Sequence, residues 1–281
     1  HFNVQYVAGG MYGYWAVANP EIDLDAEQIE DTIVSESLAP VIDLYEKHPS
    51  WGVDIEMQGY MLDVMAARHP QVLDKMRAMA KAGQIDIVSF HYSDQLYIAY
   101  PQEDWERSQK LNAQTFQKHD IPLSRTVFCQ EGQAGVGLAA AMSKTGYRNL
   151  VWPKNLWIYQ HGDFEAQPLY AFGDGFVVAG SKGVNYQQGN TDISVVWTFL
   201  DDGELLATND LNPYFPDLFK HDPTAVAAYE SGLVDLESQG FKIATVDQYV
   251  EAIKAKVTPA ELPPLLDGTW QPNSTDGVLK W

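Results

Sequence analysis

Cysteine is almost missing from this chain of 281 residues, since Cys129 stands alone and cannot form an internal disulfide bond. A disulfide-stabilised scaffold is therefore excluded, although one thiol does not identify the redox compartment. Long apolar runs are missing too, because none reaches the roughly 18 residues that a membrane-spanning helix needs. We therefore expect no membrane-spanning helix.

Basic residues are scarce, with 18 Lys and Arg against 38 Asp and Glu, and the net charge is −20. Nucleic acids and anionic membranes bind through Lys and Arg that neutralise phosphate, so neither partner is expected. The chain begins with His1 rather than Met. A removed leader or a trimmed start would explain this, and with the acidic composition it favours an extracellular or periplasmic location.

Several catalytic signatures are also absent. The seven histidines form no His-x-His, His-x-x-x-His or His-Glu-x-x-His pattern, so we predict no helix-borne zinc site and no cofactor. No Gly-x-Ser-x-Gly nucleophile motif occurs. Cys129 lies inside a predicted strand and is interpreted as a packed thiol. Glycines 9, 10 and 13 lack the Gly-x-Gly-x-x-Gly spacing, which argues against an open dinucleotide-binding sheet.

Strand-like and helix-like segments alternate along the chain. The predicted strands are 1–7, 52–57, 85–90, 126–130, 147–152, 192–199 and 241–246. The predicted helices are 25–47, 59–82 with a break near His69-Pro70, 102–118, 135–145, 223–239 and 247–256. This alternation predicts a parallel α/β sheet, most economically a closed or nearly closed barrel over residues 1–256. Residues 153–192 are predicted to form a loop-rich insertion with one strand, FVVAGS, and residues 257–281 a C-terminal extension.

Polar side chains recur where the predicted strands end, which is where barrel enzymes place their functional groups. In the second strand Asp54, Glu56 and Gln58 alternate and should share one face. Other strand ends carry His91, Asp94, Glu131, Trp152, Asp201, Asp202 and Glu204. The 8 Trp, 15 Tyr and 11 Phe supply aromatic rings that build cores and also line carbohydrate sites.

Glu131 in the stretch TVFCQEGQAG follows a buried strand and precedes a helix. An acid at this place can simply favour the helix amino terminus. Asp202 at the end of another strand favours a catalytic interpretation. A carboxylate and a carboxylic acid acting together are what glycoside hydrolysis requires.

The order of these motifs resembles glycoside hydrolase family 57. The similar segments are HFNVQY for a first-strand His-x-His-Gln-Pro, residues 59–94 for the second-motif region, FCQEGQ for Trp-x-Pro-Glu, FLDDGELL for Asp-x-Glu, and DGTWQPNSTDGVLKW for a tryptophan-containing segment after the barrel. The chain departs from the family pattern at several points. Gln130 replaces the proline before Glu131, Asp86 stands where Glu is usual, and the first motif lacks its second His and its Pro.

The resemblance implies an incomplete (β/α)7 barrel and a retaining glycoside hydrolase acting on an oligo- or polysaccharide of α-glucan or α-galactoside type. Glu131 would be the nucleophile and Asp202 the general acid/base, with no metal or cofactor. The residues expected to bind substrate are His1, Gln5, Glu56, Gln58, His91, Asp94, Asp201 and Glu204 through hydrogen bonds, and Trp152, Trp157 and Trp270 through stacking.

Two alternatives stay open. The segment WTFLDDGE resembles the Thr-Phe-Asp-Asp-Gly motif of metal-dependent polysaccharide deacetylases, with Leu200 inserted, but the partner His-x-x-x-His is absent. A non-catalytic carbohydrate-binding barrel would keep the aromatic residues and use its carboxylates structurally. The sequence does not identify the sugar, the linkage or the oligomeric state.

Overall fold

The computed structural model describes residues 2, 4, 24–93, 100–128, 133–135, 137–153, 158, 162, 165–180, 182–198, 203–204, 206 and 224–263. Over these residues the chain is a mixed α/β protein in which helices pack on short strands. None of the helices described there combines the length and the apolar character needed to cross a bilayer.

Eight α-helices occur in the described part of the chain. They are α1 (Ala26–Ile33), α2 (Ala39–Lys47), α3 (Gly59–Arg68), α4 (Pro70–Lys81), α5 (Gln102–Lys118), α6 (Leu138–Thr145), α7 (Ala225–Ser238) and α8 (Val246–Ile253). Local chemistry fixes several ends. Asp25 and Thr245 each form a capping box, with Gln28 and Gln248 respectively. Pro70 opens α4, and Gly83 follows that helix with a φ of +73°, a conformation that favours glycine.

A π-helical segment, Val34–Leu38, joins α1 to α2, so residues 26–47 form one continuous helical run. Its buried residues are Val34, Ser37 and Leu38. The spacing of buried apolar residues is four from Ile29 to Ile33 and five from Ile33 to Leu38. A wider π turn accommodates that extra residue while keeping the side chains on the core-facing side.

Within the described ranges, nine short strands form three sheets. They are β1 (Val53–Ile55), β2 (Ile85–Ile87), β3 (Thr126–Val127), β4 (Asn149–Pro153), β5 (Tyr170–Phe172), β6 (Gly175–Gly180), β7 (Val184–Gln188), β8 (Thr191–Val195) and β9 (Ala260–Glu261). β1 and β2 pair in parallel, and a five-stranded sheet has the order β3-β4-β6-β5-β9. β3, β4 and β6 run parallel to one another, whereas β5 pairs antiparallel with β6.

The apolar side chains of the described residues pack in three clusters. The first lies between β1, β2 and helices α1 to α4, with Trp51 and Tyr45 among its largest buried members. The second surrounds β3, β4 and β6 and includes Phe90, Trp105 and Trp152. The third places the apolar face of α8 against β4 and β6. Helices therefore cover the parallel strands, as the alternation of segments predicts.

The beginning of α8 lies across the amino-terminal ends of the parallel strands. Gln248 Nε2 donates to the carbonyl of Gly83, just before β2, at 2.8 Å. Asp247 accepts from Arg125, just before β3, at 2.8 Å and from Asn149, the first residue of β4, at 3.1 Å. The opposite, carboxyl-terminal ends of β1 and β2 are the ends that carry the predicted functional residues.

The strand predictions fail in the second half of the chain. Residues 192–199, expected to form a parallel strand, contribute β8, which pairs antiparallel with β7 in a hairpin. Residues 153–192 hold β5, β6, β7 and the start of β8 rather than one strand in a loop-rich insertion, although FVVAGS does lie largely in the parallel strand β6. Residues 241–245 form no assigned strand, but the carbonyl of Ile243 accepts from Gly52 N–H at 3.0 Å.

Candidate functional site

Backbone hydrogen bonds join the chain just beyond β1 to the chain just beyond β2. The N–H of Gly59 donates to the carbonyl of His91 at 3.0 Å, and the N–H of Tyr60 donates to the carbonyl of Tyr92 at 2.7 Å. Glu56 and Gln58 lie between β1 and these bonds and are buried. The structure therefore brings Glu56, Gln58 and His91 to neighbouring strand ends, as the strand-end argument predicts.

The imidazole of His91 is buried, with 4% of the residue exposed. It meets the ring of Phe90 edge to face, with centroids 4.9 Å apart. Burial lowers the pKa of His91 to about 3, because the charged imidazolium would lose its hydration. The ring is therefore neutral near pH 7, and in this form one nitrogen can donate a hydrogen bond while the other can accept one.

Asn112 on α5, which the strand-end argument does not single out, holds the segment that carries His91. Its Nδ2 donates to the carbonyl of Ser89 at 3.2 Å, and its Oδ1 accepts from Ser89 Oγ at 3.1 Å. Tyr147 OH donates to the same Ser89 carbonyl at 2.9 Å. Asn112, Ser89 and Tyr147 are all buried, so these bonds form away from water.

Tyr92, next to His91, is also held by neighbouring helices. Its OH donates to Asp63 Oδ2 on α3 at 3.2 Å, and its N–H donates to Ser108 Oγ on α5 at 3.3 Å. Asp63 Oδ1 contacts Lys118 Nζ at 2.6 Å and His119 Nε2 at 2.7 Å. Burial is the largest single effect on Asp63 and raises the pKa of its carboxyl group. The hydrogen bonds and contacts together outweigh burial, so the net pKa of Asp63 is lowered. Helices α3 and α5 thus anchor both sides of the strand-end segment.

A third segment, containing Gly203 and Glu204, reaches the end of β1 through Phe2. The N–H of Phe2 donates to the carbonyl of Glu56 at 2.9 Å. Gly203 packs so closely on the Phe2 ring that a Cβ there would lie 2.7 Å from Phe2 Cζ. Glu204 is 2% exposed. The structure therefore places the predicted residue Glu204 on the same side of the molecule as Glu56.

Trp152 lies on β4 opposite Ala179 of β6 and belongs to the apolar cluster that also contains Phe90. Its side chain is completely buried. It contributes to the core, and stacking of Trp152 on a sugar stays a prediction.

Asp54, the middle residue of β1, contacts the beginning of helix α8. Its Oδ2 accepts from the N–H of Val246 at 2.9 Å. Asp86, directly opposite on β2, accepts from Ser124 Oγ at 2.9 Å.

The remaining predicted site residues lie outside the described residues. They are His1, Gln5, Asp94, Glu131, Trp157, Asp201, Asp202 and Trp270. The roles predicted for them, including the two catalytic roles of Glu131 and Asp202, stay predictions. In the ranges that the structure describes, no three His, Cys, Asp or Glu side chains come together in an arrangement suited to a metal ion.

Comparison with known sequences gives a short, partial match. No protein-family model matches the chain. Alpha-amylase 1 of Dictyoglomus thermophilum is 29% identical over 83 residues, which cover 29% of this chain and 12% of the amylase. The similarity therefore involves a small part of both proteins.

Comparison with solved structures covers most of the chain. The GH57-type branching enzyme of Pyrococcus horikoshii superposes with a TM-score of 0.61 and 11% identity, over 89% of this chain and 69% of the enzyme. The chain therefore shares the overall fold of this enzyme. The 4-alpha-glucanotransferase of Thermococcus litoralis gives a TM-score of 0.59 and 16% identity, over 85% of this chain but 39% of that enzyme. The predicted resemblance to glycoside hydrolase family 57 is confirmed at the level of the fold.

A third solved structure has nearly the same length as this chain. It is a Mycobacterium smegmatis protein assigned as a polysaccharide deacetylase, with a TM-score of 0.57 and 14% identity. The match covers 94% of this chain and 92% of that protein. Both groups named in the sequence analysis therefore share this fold.

Proposed function

We propose that the chain is a retaining glycoside hydrolase that acts on an oligo- or polysaccharide of α-glucan or α-galactoside type. We further propose that its strands complete an incomplete (β/α)7 barrel. The coarser conclusion, a carbohydrate-active enzyme related to GH57 glucan-active enzymes, rests on the fold. The chain spans 39% of the length of the glucanotransferase, so the reaction itself is a proposal.

The contact between Phe2 and Gly203 is the observation that best supports this proposal. Asp202 immediately precedes Gly203 in the sequence. Because Gly203 packs on Phe2, and the N–H of Phe2 is bonded to the carbonyl of Glu56, Gly203 approaches the end of β1, and its neighbour in sequence, Asp202, is proposed to lie there. Parallel strands deliver their following residues to one edge, so Glu131, four residues after β3, is expected at the same edge.

In the proposed reaction, Glu131 attacks the anomeric carbon while the glycosidic carbon–oxygen bond breaks. Asp202 donates its proton to the departing oxygen. Asp202 then takes a proton from water, which attacks the same carbon and releases the Glu131 carboxylate. Two inversions give net retention, and this route requires carboxyl groups about 5–5.5 Å apart.

Buried polar side chains would bind the sugar beside this pair. Neutral His91 can both donate to and accept from sugar hydroxyl groups, and buried carboxylates and amides such as Glu56, Gln58 and Glu204 suit the same partners. Trp157 and Trp270 are proposed to stack on sugar faces. Such contacts align the anomeric carbon with the nucleophile.

The test is a screen of α-linked oligo- and polysaccharides for released reducing ends, using the parent, Glu131→Gln, Asp202→Asn and Glu237→Gln. Glu237 is an exposed residue of α7 and serves as the matched control. Each catalytic variant should lose about 10²-fold or more of the activity, while the control retains it. Unchanged activity in Glu131→Gln would refute the assigned nucleophile.

Azide and an activated glycoside separate the two roles. With Glu131→Ala, azide should occupy the space of the lost nucleophile and yield a glycosyl azide of inverted configuration. With Asp202→Ala, the covalent intermediate still forms, so the azide product should have retained configuration. The opposite pattern would exchange the two assignments.

A metal-dependent polysaccharide deacetylase is the second candidate, favoured by the nearly full-length match to the Mycobacterium smegmatis protein. It would release acetate rather than reducing ends from an acetylated polysaccharide. Acetate release that depends on an added divalent metal, together with a silent glycosidase screen, would favour this candidate. Tight sugar binding with neither product would favour the binding-module alternative.

A further inference from the structure

Asp54 and Asp86 are paired across β1 and β2 on the side of the strands that faces α8. They are opposite one another in the parallel register, between the pairs Val53–Ile85 and Ile55–Ile87. The isoleucines belong to the apolar core under the helices. Neighbouring residues of a strand point to opposite faces of a sheet. Both aspartates therefore lie side by side on the face opposite that core.

Each carboxyl group has one hydrogen-bond donor. Val246 N–H donates to Asp54 Oδ2 at 2.9 Å, and Ser124 Oγ donates to Asp86 Oδ2 at 2.9 Å. Asp54 Oδ1 is shielded from water and has no hydrogen-bond partner among the described residues. No ion pair to Asp54 or Asp86 occurs in that part of the chain, although other carboxylates there do form ion pairs, such as Asp43 with Lys75.

The charged and titratable groups facing this pair come from three further elements. Asp247 on α8 repels both carboxylates and is itself paired with Arg125 at 2.8 Å. Arg125, just before β3, attracts the charge of Asp86. Tyr45 on α2 also feels the charge of Asp54. The nearest cation is thus already shared with Asp247 and Glu251.

Burial has the largest effect on both groups. It raises the pKa of Asp54 well above its usual range, and the neighbouring Asp86 raises it further. Burial likewise raises the pKa of Asp86 to about 6, although Ser124 opposes this. The Val246 N–H favours the ionised form of Asp54, as the amino terminus of a helix does. A single backbone donor offsets only part of the lost hydration.

We propose that Asp54 is a buried proton-binding site whose occupancy controls how firmly the first turn of α8 docks on the amino-terminal ends of β1 and β2. With the proton bound, Asp54 is neutral and its carbonyl-type oxygen accepts from Val246. When the proton leaves to solvent, the two adjacent buried carboxylates and Asp247 repel one another. Moving α8 away then rehydrates the charges, so deprotonation loosens this helix.

The direction of the pH effect follows from proton binding. The folded state holds the Asp54 and Asp86 protons more tightly than the unfolded chain, in which Asp titrates at about 3.9. Unfolding above that pH releases protons, so rising pH favours unfolding. The stabilisation is fully present below about pH 4 and is lost as the pH rises through the folded-state pKa values. For Asp86 that window ends near pH 6.

The test compares urea unfolding of the parent, Asp54→Asn and Asp192→Asn from pH 4 to pH 8. Asp192 is an exposed aspartate of β8 and is the control. In the pH range in which Asp54 is neutral in the folded protein and ionised in the unfolded chain, unfolding releases its proton. This release makes the equilibrium constant for unfolding of the parent rise about tenfold per pH unit. Asparagine keeps the neutral shape and the acceptor for Val246 but removes this proton, so the pH slope should fall by one proton.

Asp54→Asn should therefore be more stable than the parent at pH 8 and differ little at pH 4, while Asp192→Asn follows the parent. A variant that is less stable than the parent by the same amount at both pH values would overturn the proposal, because Asp54 would then act as an ionised acceptor. If Asp54→Asn does not fold, Asp86→Asn tests the same repulsion. Because Asp86→Asn removes the neighbouring negative charge, it should lower the proton affinity of Asp54.

Two local measurements complete the test. An infrared titration of the parent from pH 5 to pH 8 should show a protonated carboxyl band that persists above the pH range of ordinary aspartates and that Asp54→Asn lacks, and its absence from the parent throughout would refute the proposal. Hydrogen exchange of the Val246 amide should be faster in the parent than in Asp54→Asn at pH 8, after each is compared with Asp192→Asn. Equal exchange rates of the Val246 amide in the parent and in Asp54→Asn would show that Asp54 does not control the docking of α8. None of these measurements depends on the proposed glycosidase activity.

Discussion

The side-chain amide of Asn112 occupies the space in which a Cβ on Gly59 would lie. Gly59 begins α3, and its N–H is bonded to the carbonyl of His91. Glycine is thus required at position 59, because the buried side chain of Asn112 on α5 packs directly against the backbone of α3. The same Asn112 holds Ser89, so one side chain sets the spacing of two strand ends.

Gly59→Ala should destabilise the protein, because the new methyl group meets the buried Asn112 Oδ1. Overpacking of this kind costs about 1–3 kcal/mol. Gly232→Ala in the exposed middle of α7, where a Cβ meets nothing within 4 Å, is the control. It should stabilise by about 0.5–1 kcal/mol. Urea unfolding of both variants measures the difference, and equal effects would contradict the close approach.

Asn112→Ala should lower stability by about 1–3 kcal/mol, because it removes both buried hydrogen bonds between the Asn112 side chain and Ser89. Tyr147→Phe removes one hydrogen bond to the carbonyl of Ser89 and should cost about 0.5–1.5 kcal/mol. Chemical denaturation gives both values. A larger loss in Tyr147→Phe than in Asn112→Ala would show that Asn112 is not the principal anchor.

His91 should remain neutral throughout the physiological range, because burial lowers its pKa to about 3. Its ring proton resonances in NMR should therefore not move between pH 5 and pH 8. Unfolded histidine titrates near 6.5, so acid should destabilise the folded protein as the pH falls below that value. A titration midpoint of His91 above pH 5 would contradict its burial.

Gly203→Ala should lower stability and any glycosidase activity, because its methyl group would collide with the Phe2 ring. Phe2→Leu creates room at the same place. In the Phe2→Leu background the stability cost of Gly203→Ala should shrink, giving a coupling energy of about 0.5–3 kcal/mol in a double-mutant cycle. Strict additivity of the two changes would place Gly203 away from Phe2.

Helix boundaries in the first half of the chain could be predicted closely, because local signals agree there. The predicted helix 102–118 matches α5, and the predicted break at His69-Pro70 separates α3 from α4. Pro70 lacks an N–H and suits the first position of a helix, and Gly83 adopts a positive φ after the last. The π segment was missed, although the change in spacing between Ile33 and Leu38 is visible in the sequence.

The strands after residue 153 could be predicted less well, because pairing partners decide their direction. The alternating residues of β8 suit a parallel or an antiparallel strand equally, and the two-residue connection Gly189-Asn190 to β7 is the signal for a hairpin. FKIATV has strand-like composition, yet Thr245 caps α8 instead. Local composition did not specify these long-range choices.

In the candidate site, the positions of Glu56, Gln58 and His91 followed from the rule that functional residues occupy strand ends. Asn112 could not be found in this way, because it reaches the site from the middle of α5. A buried asparagine in a helix interior, where its propensity is poor, was the available signal.

The hydrogen bond from Val246 to Asp54 joins residues 192 positions apart. A growing polypeptide emerges from the ribosome in order, so β1 and β2 are synthesised long before the helix that meets Asp54. Until residue 246 emerges, Asp54 has no backbone donor and no cover from α8, and its carboxyl group stays hydrated and ionised. The closing of this end of the molecule is thus a late event in folding, and it takes up a proton.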